Sequence, residues 1–240
     1  MISTSLRAAI ALTGTLSVAG LQATTLYSND FETTIAGVTG AGFSAGTGGY
    51  AGLGFGSTFF RNWETGNPAA ATVVSFSAPG PAAGAMLSFD LAVIDSWDGS
   101  ALLGGCCNDD VFTVKLDGAT VFTAEFNNTW SFVPGFAGSD TQTFPRDGRM
   151  LAGPVTNLAG EWNGSSGYDS AYRLTLALGT LGAGAHTLEF YAGGPGWQGG
   201  TDESFAIDNV SVNAVPVPGA VVLMGSALSG LLGRRRRRAI

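Results

Sequence analysis

The stretch "VFTVKLDGATVFTAEF", residues 111–126, constrains the fold more than any other part of this 240-residue chain. Phe112, Val114 and Leu116 alternate with Thr113 and Lys115; Phe122, Ala124 and Phe126 alternate with Thr123 and Glu125. Period two puts each apolar set on one face of a strand. Asp117-Gly118 between them readily takes the positive φ angles of a type I′ turn, so the segment reads as a β-hairpin with one buried face. That face needs a second apolar layer, and the rest of the chain offers strands for it. In 85–95, Leu87, Phe89, Leu91 and Val93 share a face at period two; further strands read at 25–33, 71–78, 171–178, 185–192 and 204–212. About eight strands with long loops and no internal helix predict an all-β, two-sheet antiparallel β-sandwich of jelly-roll type, with a closed barrel as the alternative. The Gly-rich run 37–57 reads as a long surface loop held down by Phe43, Tyr50 and Phe55. It is not a phosphate loop, because no Gly-Lys-Ser/Thr follows.

Both ends of the chain have a different character. Arg7 precedes an apolar run from Ala8 to Ala19, and small residues follow. That is the layout of a secretory signal peptide, cut after Ala23 or after Ala19. The other end reads "VPVPGAVVLMGSALSGLLGRRRRRAI" from Val215 to Ile240. The division is therefore a leader at 1–23, a β-sandwich domain at 24–214 and a C-terminal signal at 215–240. Without leader and tail, five basic side chains face 18 acidic ones, a net charge near −13. Such a surface repels nucleic acid and attracts cations.

Val215, Pro216, Val217 and Pro218, the apolar run 219–233 and the cluster Arg234, Arg235, Arg236, Arg237 and Arg238 resemble the PEP-CTERM sorting signal of Gram-negative bacteria. Val217 stands where that motif most often has Glu. The resemblance implies export through the Sec machinery and a transient inner-membrane stop. It further implies processing by an exosortase and delivery to a cell surface or matrix rich in extracellular polysaccharide. The physics agrees. Fifteen helical residues rise about 22 Å, short of the ~30 Å hydrocarbon core. Flanking groups can snorkel to close the gap, and the arginines hold the terminus inside.

Sites within the domain are less sharply marked. "SNDFE" near its start and "FAIDNVSV" near its end resemble the paired terminal strands of calcium-bearing jelly-roll carbohydrate-binding modules. This resemblance implies a structural Ca²⁺ with Asp30, Glu32 and Asp208 as ligands, oxygen donors being what Ca²⁺ takes. A second acidic group flanks one loop: Asp95 and Asp98 on one side, Asn108, Asp109 and Asp110 on the other. It is a weaker candidate for a second metal. Cys106 and Cys107 are the only cysteines, and a vicinal disulfide, two free thiols or linkage to another molecule all stay open. Trp63, Trp97, Trp130, Trp162 and Trp197 fall in expected loops or strand ends. There indoles stack on sugar rings, with Asn62, Asp98, Asn163 and Gln198 as polar neighbours, although part of the set is expected to anchor core or loops. His186, the only histidine, reads as a satisfied strand-end residue rather than a base. The functional expectation is a structural or glycan-binding surface module and not an enzyme. The alternative is a secreted polysaccharide-modifying enzyme, a hydrolase or lyase acting through a carboxylate pair.

Overall fold

A computed structural model describes residues 23–98, 110–126, 128, 149–155, 158 and 169–216. The leader, Cys106, Cys107, Asn108, Asp109, Trp130, Trp162, Asn163, Val217, Pro218 and Arg234 to Arg238 lie outside them. Twelve strands are described: β1 Thr24–Asn29, β2 Val38–Gly40, β3 Phe43–Gly46, β4 Thr58–Asn62, β5 Thr72–Ala78, β6 Ala82–Asp95, β7 Val111–Leu116, β8 Ala119–Glu125, β9 Arg149–Val155, β10 Asp169–Leu181, β11 Gly184–Gly193 and β12 Glu203–Pro216. They form two antiparallel sheets. The larger runs β3-β4-β12-β6-β10-β9, with β1 also on β12; the smaller runs β2-β5-β11-β7-β8. This is the β-sandwich of jelly-roll type that the strand pattern predicts.

The founding hairpin is present as read. Asp117 and Gly118 have φ of 49° and 80°, the signs a type I′ turn requires. Phe112, Val114 and Phe122 from it enter the inter-sheet core, where they meet Leu87, Phe89, Leu91 and Val93 of β6 and Leu188 and Phe190 of β11. Phe89, Phe112 and Phe190 interlock there, with ring centroids 5.3–6.4 Å apart.

The Gly-rich run departs from its reading as a surface loop. It forms β2, β3 and a 3₁₀ turn, Gly48–Leu53, that lies over the outer face of the larger sheet. Tyr50, Phe55 and Phe59 pack there on Ala92 and Ile94 of β6, and the Tyr50 hydroxyl donates to the Val93 carbonyl at 3.1 Å. The centre of β6 is thus buried on both faces, which removes water from Asp90 and Asp95 as well as from the apolar residues.

Chain crossings sort the two ends of the sandwich. The β5–β6 and β10–β11 connections cross between sheets at one end. The β4–β5, β6–β7 and β11–β12 connections cross at the other, since Glu203 pairs with Asp95 and Thr72 with Phe190. We call that second end the rim. β12 runs away from it and finishes with Val215 and Pro216 paired to Ala83 and Ala82 at the opposite end. No helix among the described residues is long and apolar enough to cross a membrane, and 219–233 lies outside them.

Candidate functional site

Several connections meet at the rim, and the β4–β5, β6–β7 and β11–β12 connections each bring something there. The β4–β5 connection opens with Trp63, which is 42% exposed and packs on Phe43 with ring centroids 4.7 Å apart. The Arg61 guanidinium sits 5.7 Å from the same indole. Trp63, Glu64 and Thr65 form one wall of a shallow groove of about 330 Å³, and Gly200 and Thr201 of the β11–β12 connection form the other. The walls are fastened together. The Gly200 amide donates to the Trp63 carbonyl at 2.7 Å, and the Trp197 indole N–H donates to the Glu64 carbonyl at 3.2 Å. Gly199 permits this approach: its φ is 68°, and a Cβ there would stand 2.3 Å from the Glu64 carbonyl oxygen.

Of the described tryptophans, Trp63 alone presents its ring to solvent. Trp97 is fully buried and Trp197 nearly so. Their rings stand edge to face at 5.1 Å, and the Trp97 N–H is spent on the Ser204 carbonyl at 2.8 Å. Both anchor the rim, which corrects their assignment to a sugar platform. Asn62 is likewise buried. Its amide donates to the Ala70 carbonyl and the Thr72 hydroxyl, and its oxygen accepts from the Glu64 N–H. Gln198 is exposed beside the groove.

Beneath the rim lies an acidic cluster. Asp98 follows β6, Asp110 precedes β7 and Glu203 opens β12, so both sheets contribute. One carboxylate oxygen from each lies within 4.8 Å of the others. Asp110 and Glu203 are fully buried. Backbone amides hold one oxygen of each: the Asp98 N–H donates to Asp110 Oδ2, and the Gln198 N–H donates to Glu203 Oε2 at 2.7 Å. Asp110 Oδ1 and Glu203 Oε1 receive no donor. Burial, then mutual repulsion, pushes the Asp110 carboxyl far above the carboxylate range. Burial also raises Glu203, against the lowering pull of its amide partners. Asp98 is raised by burial and by Asp202.

The loop-flanking group read from sequence is therefore partly assembled. Asp98 and Asp110 do come together. Asp95 does not join them: its backbone takes a φ of 68°, and its carboxylate lies 3.8 Å from Arg61 Nη2. Glu203 was missing from that reading. Its signal was the acidic pair Asp202-Glu203 directly before a strand, but only the β6–β12 register places it beside the loop.

The group read from the terminal strands lies elsewhere, on the outer face of the larger sheet. Glu32 accepts from the Thr58 N–H at 3.1 Å and from the Ser57 hydroxyl. Asp208 accepts from the Gly56 N–H at 3.1 Å and the Asn209 N–H at 2.6 Å. The two carboxylates converge on one segment, 56–58, and burial, reinforced by Asp90 and Glu32, raises Asp208 to about 7. Asp30 is exposed, and its side chain caps the Glu32 N–H at 3.2 Å. All four oxygens of Glu32 and Asp208 already accept hydrogen bonds from this chain, so Ca²⁺ here would have to share or displace them. Beside them Asp90, fully buried, receives Arg173 in a two-pronged pair at 2.6 and 2.7 Å and the Asn209 amide at 2.9 Å. Asn209 reaches it from a left-handed φ of 50° at a bulge in β12.

His186 is satisfied as read: Nδ1 lies 2.7 Å from Asp117 Oδ2 and Nε2 lies 3.2 Å from the Gly182 carbonyl oxygen.

No family model matches this chain, and no curated protein matches it. Among solved structures, it is similar to the CBM22-1 xylan-binding domain of Paenibacillus barcinonensis Xyn10C. Identity is 11%, with 83% of this chain and 100% of that one covered and a TM-score of 0.37. It is also similar to the CBM22-1–GH10 modules of a Clostridium thermocellum endo-1,4-β-D-xylanase, at 10% identity and a TM-score of 0.35. There 81% of this chain but only 29% of the other is covered. A third likeness is to the Stig cyclase Fisc of Fischerella, at 10% identity over 80% of this chain and 85% of that one, with a TM-score of 0.34. TM-scores this low carry no weight on function.

Proposed function

We propose that this chain is an exported glycan-binding module that works at the cell surface or in the extracellular matrix, among extracellular polysaccharide. The observation that carries the glycan reading is Trp63. A fully desolvated indole is ordinary, but one left 42% exposed at the mouth of a groove, braced by Phe43 and Arg61, offers a flat apolar face in water. Sugar rings present matching C–H faces, and the groove supplies Glu64, Thr65 and Thr201 as hydroxyl partners.

The leader and the PEP-CTERM-like tail support export through Sec and processing by an exosortase. β12 adds a geometric consequence. Its fourteen residues separate the rim from Pro216, about 43 Å at strand rise. With the tail in the membrane, the rim and Trp63 stand at the end of the domain opposite Pro216. The structural Ca²⁺ implied for Asp30, Glu32 and Asp208 would pin the start of the domain to β12, although Glu32 and Asp208 already accept hydrogen bonds from this chain.

The test is retention of the full-length protein on the producer's own polysaccharide. Trp63→Ala should weaken retention at least about 10-fold, as loss of one stacking indole does. Because the ring is exposed, melting should shift by no more than the equivalent of ~0.5 kcal/mol. Equal retention by wild type and variant would remove the groove from the reading. Turnover of the polysaccharide, lost on changing one carboxylate, would favour the enzyme.

A further inference from the structure

We propose that Asp98, Asp110 and Glu203 form a divalent-cation site, for Ca²⁺ by its chemistry, which ties the end of β6 and the start of β7 to the start of β12. This site is independent of the glycan reading and distinct from the pair Glu32 and Asp208.

The spacing fits an ion. Ca²⁺ binds oxygens at 2.3–2.6 Å, so oxygens on opposite sides of it stand about 4.6–5.2 Å apart. Three carboxylate oxygens mutually within 4.8 Å can sit on one such sphere. The unpartnered atoms fit it too. Asp110 Oδ1 and Glu203 Oε1 are buried with no donor, while the second oxygen of each side chain is fixed by backbone amides. Each carboxylate is therefore oriented through one oxygen and leaves the other without a donor, in a cluster whose carboxylates approach within 4.8 Å. A buried carboxylate with nothing on one oxygen is costly, and two facing each other more so.

Three of the described cations are committed elsewhere. Arg61 bonds Ser204 Oγ at 2.8 Å, Arg173 holds Asp90, and Lys115 lies over the Tyr191 ring at 5.0 Å. A single proton shared between Asp110 and Glu203 would satisfy one pair of oxygens and leave Asp98 and Asp202 repelling the rest. A divalent ion neutralises two charges and draws in Asp98. The donors are all hard oxygens without His or Cys, which selects Ca²⁺ over Zn²⁺ or Cu²⁺. The ion also has a mechanical consequence, because Glu203 Oε2 holds the amides of Gln198 and Gly199, the residues that lead into the groove wall.

The experiment uses full-length protein stripped with chelator and titrated with Tb³⁺, a luminescent stand-in for Ca²⁺. Trp97, adjacent to Asp98, sensitises emission from this site. Wild type should show tryptophan-sensitised emission that Ca²⁺ displaces, and Ca²⁺ should raise its melting temperature above that in chelator. Asp110→Asn and Asp98→Asn should each weaken Ca²⁺ at least about 10-fold by this readout. In chelator, Asp110→Asn should melt at or above wild type, which also shows that it folds. Asp208→Asn should keep the emission. Wild type without sensitised emission or without a Ca²⁺-dependent shift overturns the site. So does Asp110→Asn retaining the wild-type response, or a response lost only in Asp208→Asn.

Discussion

Asp90 and Asp110 are both fully buried aspartates in the same sandwich, and they are treated in opposite ways. Asp90 lies on the outer face of the larger sheet, under the Gly-rich cover, and receives two guanidinium N–H groups and an amide. Asp110 lies at the rim, faces a second carboxylate and has one oxygen with no donor. Burial makes ionised carboxylates expensive in either place. The difference lies in who supplies the positive charge. For Asp90 the fold supplies it; for Asp110 it must come from a proton or an ion. A structural acid and a ligand acid share one residue type and one depth, and only the donors around them tell them apart.

The contrast breaks most visibly when the counter-charge is removed. Arg173→Met leaves Asp90 buried with Asn209 alone and should cost about 3 kcal/mol in urea unfolding. That is the low end for a broken buried pair, because the Arg173 side chain is 41% exposed. Asp110→Asn in chelator should cost nothing or stabilise, since it removes a charge that the metal-free fold does not balance. Equal losses in the two variants would erase the distinction.

A smaller effect sharpens it through pH. Without metal, burial raises Asp110, Glu203 and Asp208, the last to about 7. Between the ordinary carboxylate value near 4 and neutrality, the folded protein holds protons that the unfolded chain has released. The native state then binds more protons than the unfolded one, so stability falls as pH rises. Calorimetry in chelator should give a higher melting temperature at pH 5 than at pH 8, and saturating Ca²⁺ should flatten the difference. A melting temperature rising from pH 5 to pH 8 in chelator would contradict these shifts.

How far the sequence revealed this follows from what each element depends on. The strand expected at 25–33 is β1, which ends at Asn29; β5, β6, β7, β8, β10, β11 and β12 were legible because each carries a run of alternation or apolar residues long enough to show a period. β2, β3, β4 and β9 were not. "FSAG" and "VTG" have too few side chains to alternate, and β4, "TFFRN", is buried on both faces for most of its length. At the rim, Asp98 and Asp110 were legible because they flank one loop. Glu203 required the register of two strands far apart in sequence. Asp95 was misassigned because a left-handed φ turns it toward Arg61. Nothing in a loop sequence says which of Trp63, Trp97 and Trp197 turns inward, because loops lack the period that marks a face.

The smallest effect belongs to an acid whose counter-charge is a titrating side chain. Asp117 at the hairpin turn holds His186 Nδ1, and the Gly182 carbonyl faces Nε2. Both partners are acceptors, and only the doubly protonated imidazole donates to both. The bond to Asp117 accordingly raises the His186 pKa, against some burial. Partial burial pushes Asp117 up, but its bonds from His186 and Thr187 outweigh this and leave it lowered. The contribution from His186 is complete below its unfolded value near 6.5 and fades as pH rises through the raised folded value. The contribution from Asp117 is complete above its own unfolded value near 4 and fades as pH falls through the lowered one. The pair therefore stabilises most between those limits. Since the Asp117 side chain is 46% exposed, the gain is held to roughly 0.2–1 kcal/mol. His186→Gln should show that deficit by urea unfolding at pH 5.5 and a smaller one at pH 9. A deficit unchanged across that range would assign the role of His186 to its stacking on Phe76, 5.4 Å away, instead of its charge. The same variant cleans up the calorimetry: the pH 5 to pH 8 fall that survives in His186→Gln belongs to the carboxylates whose counter-charge the fold does not supply.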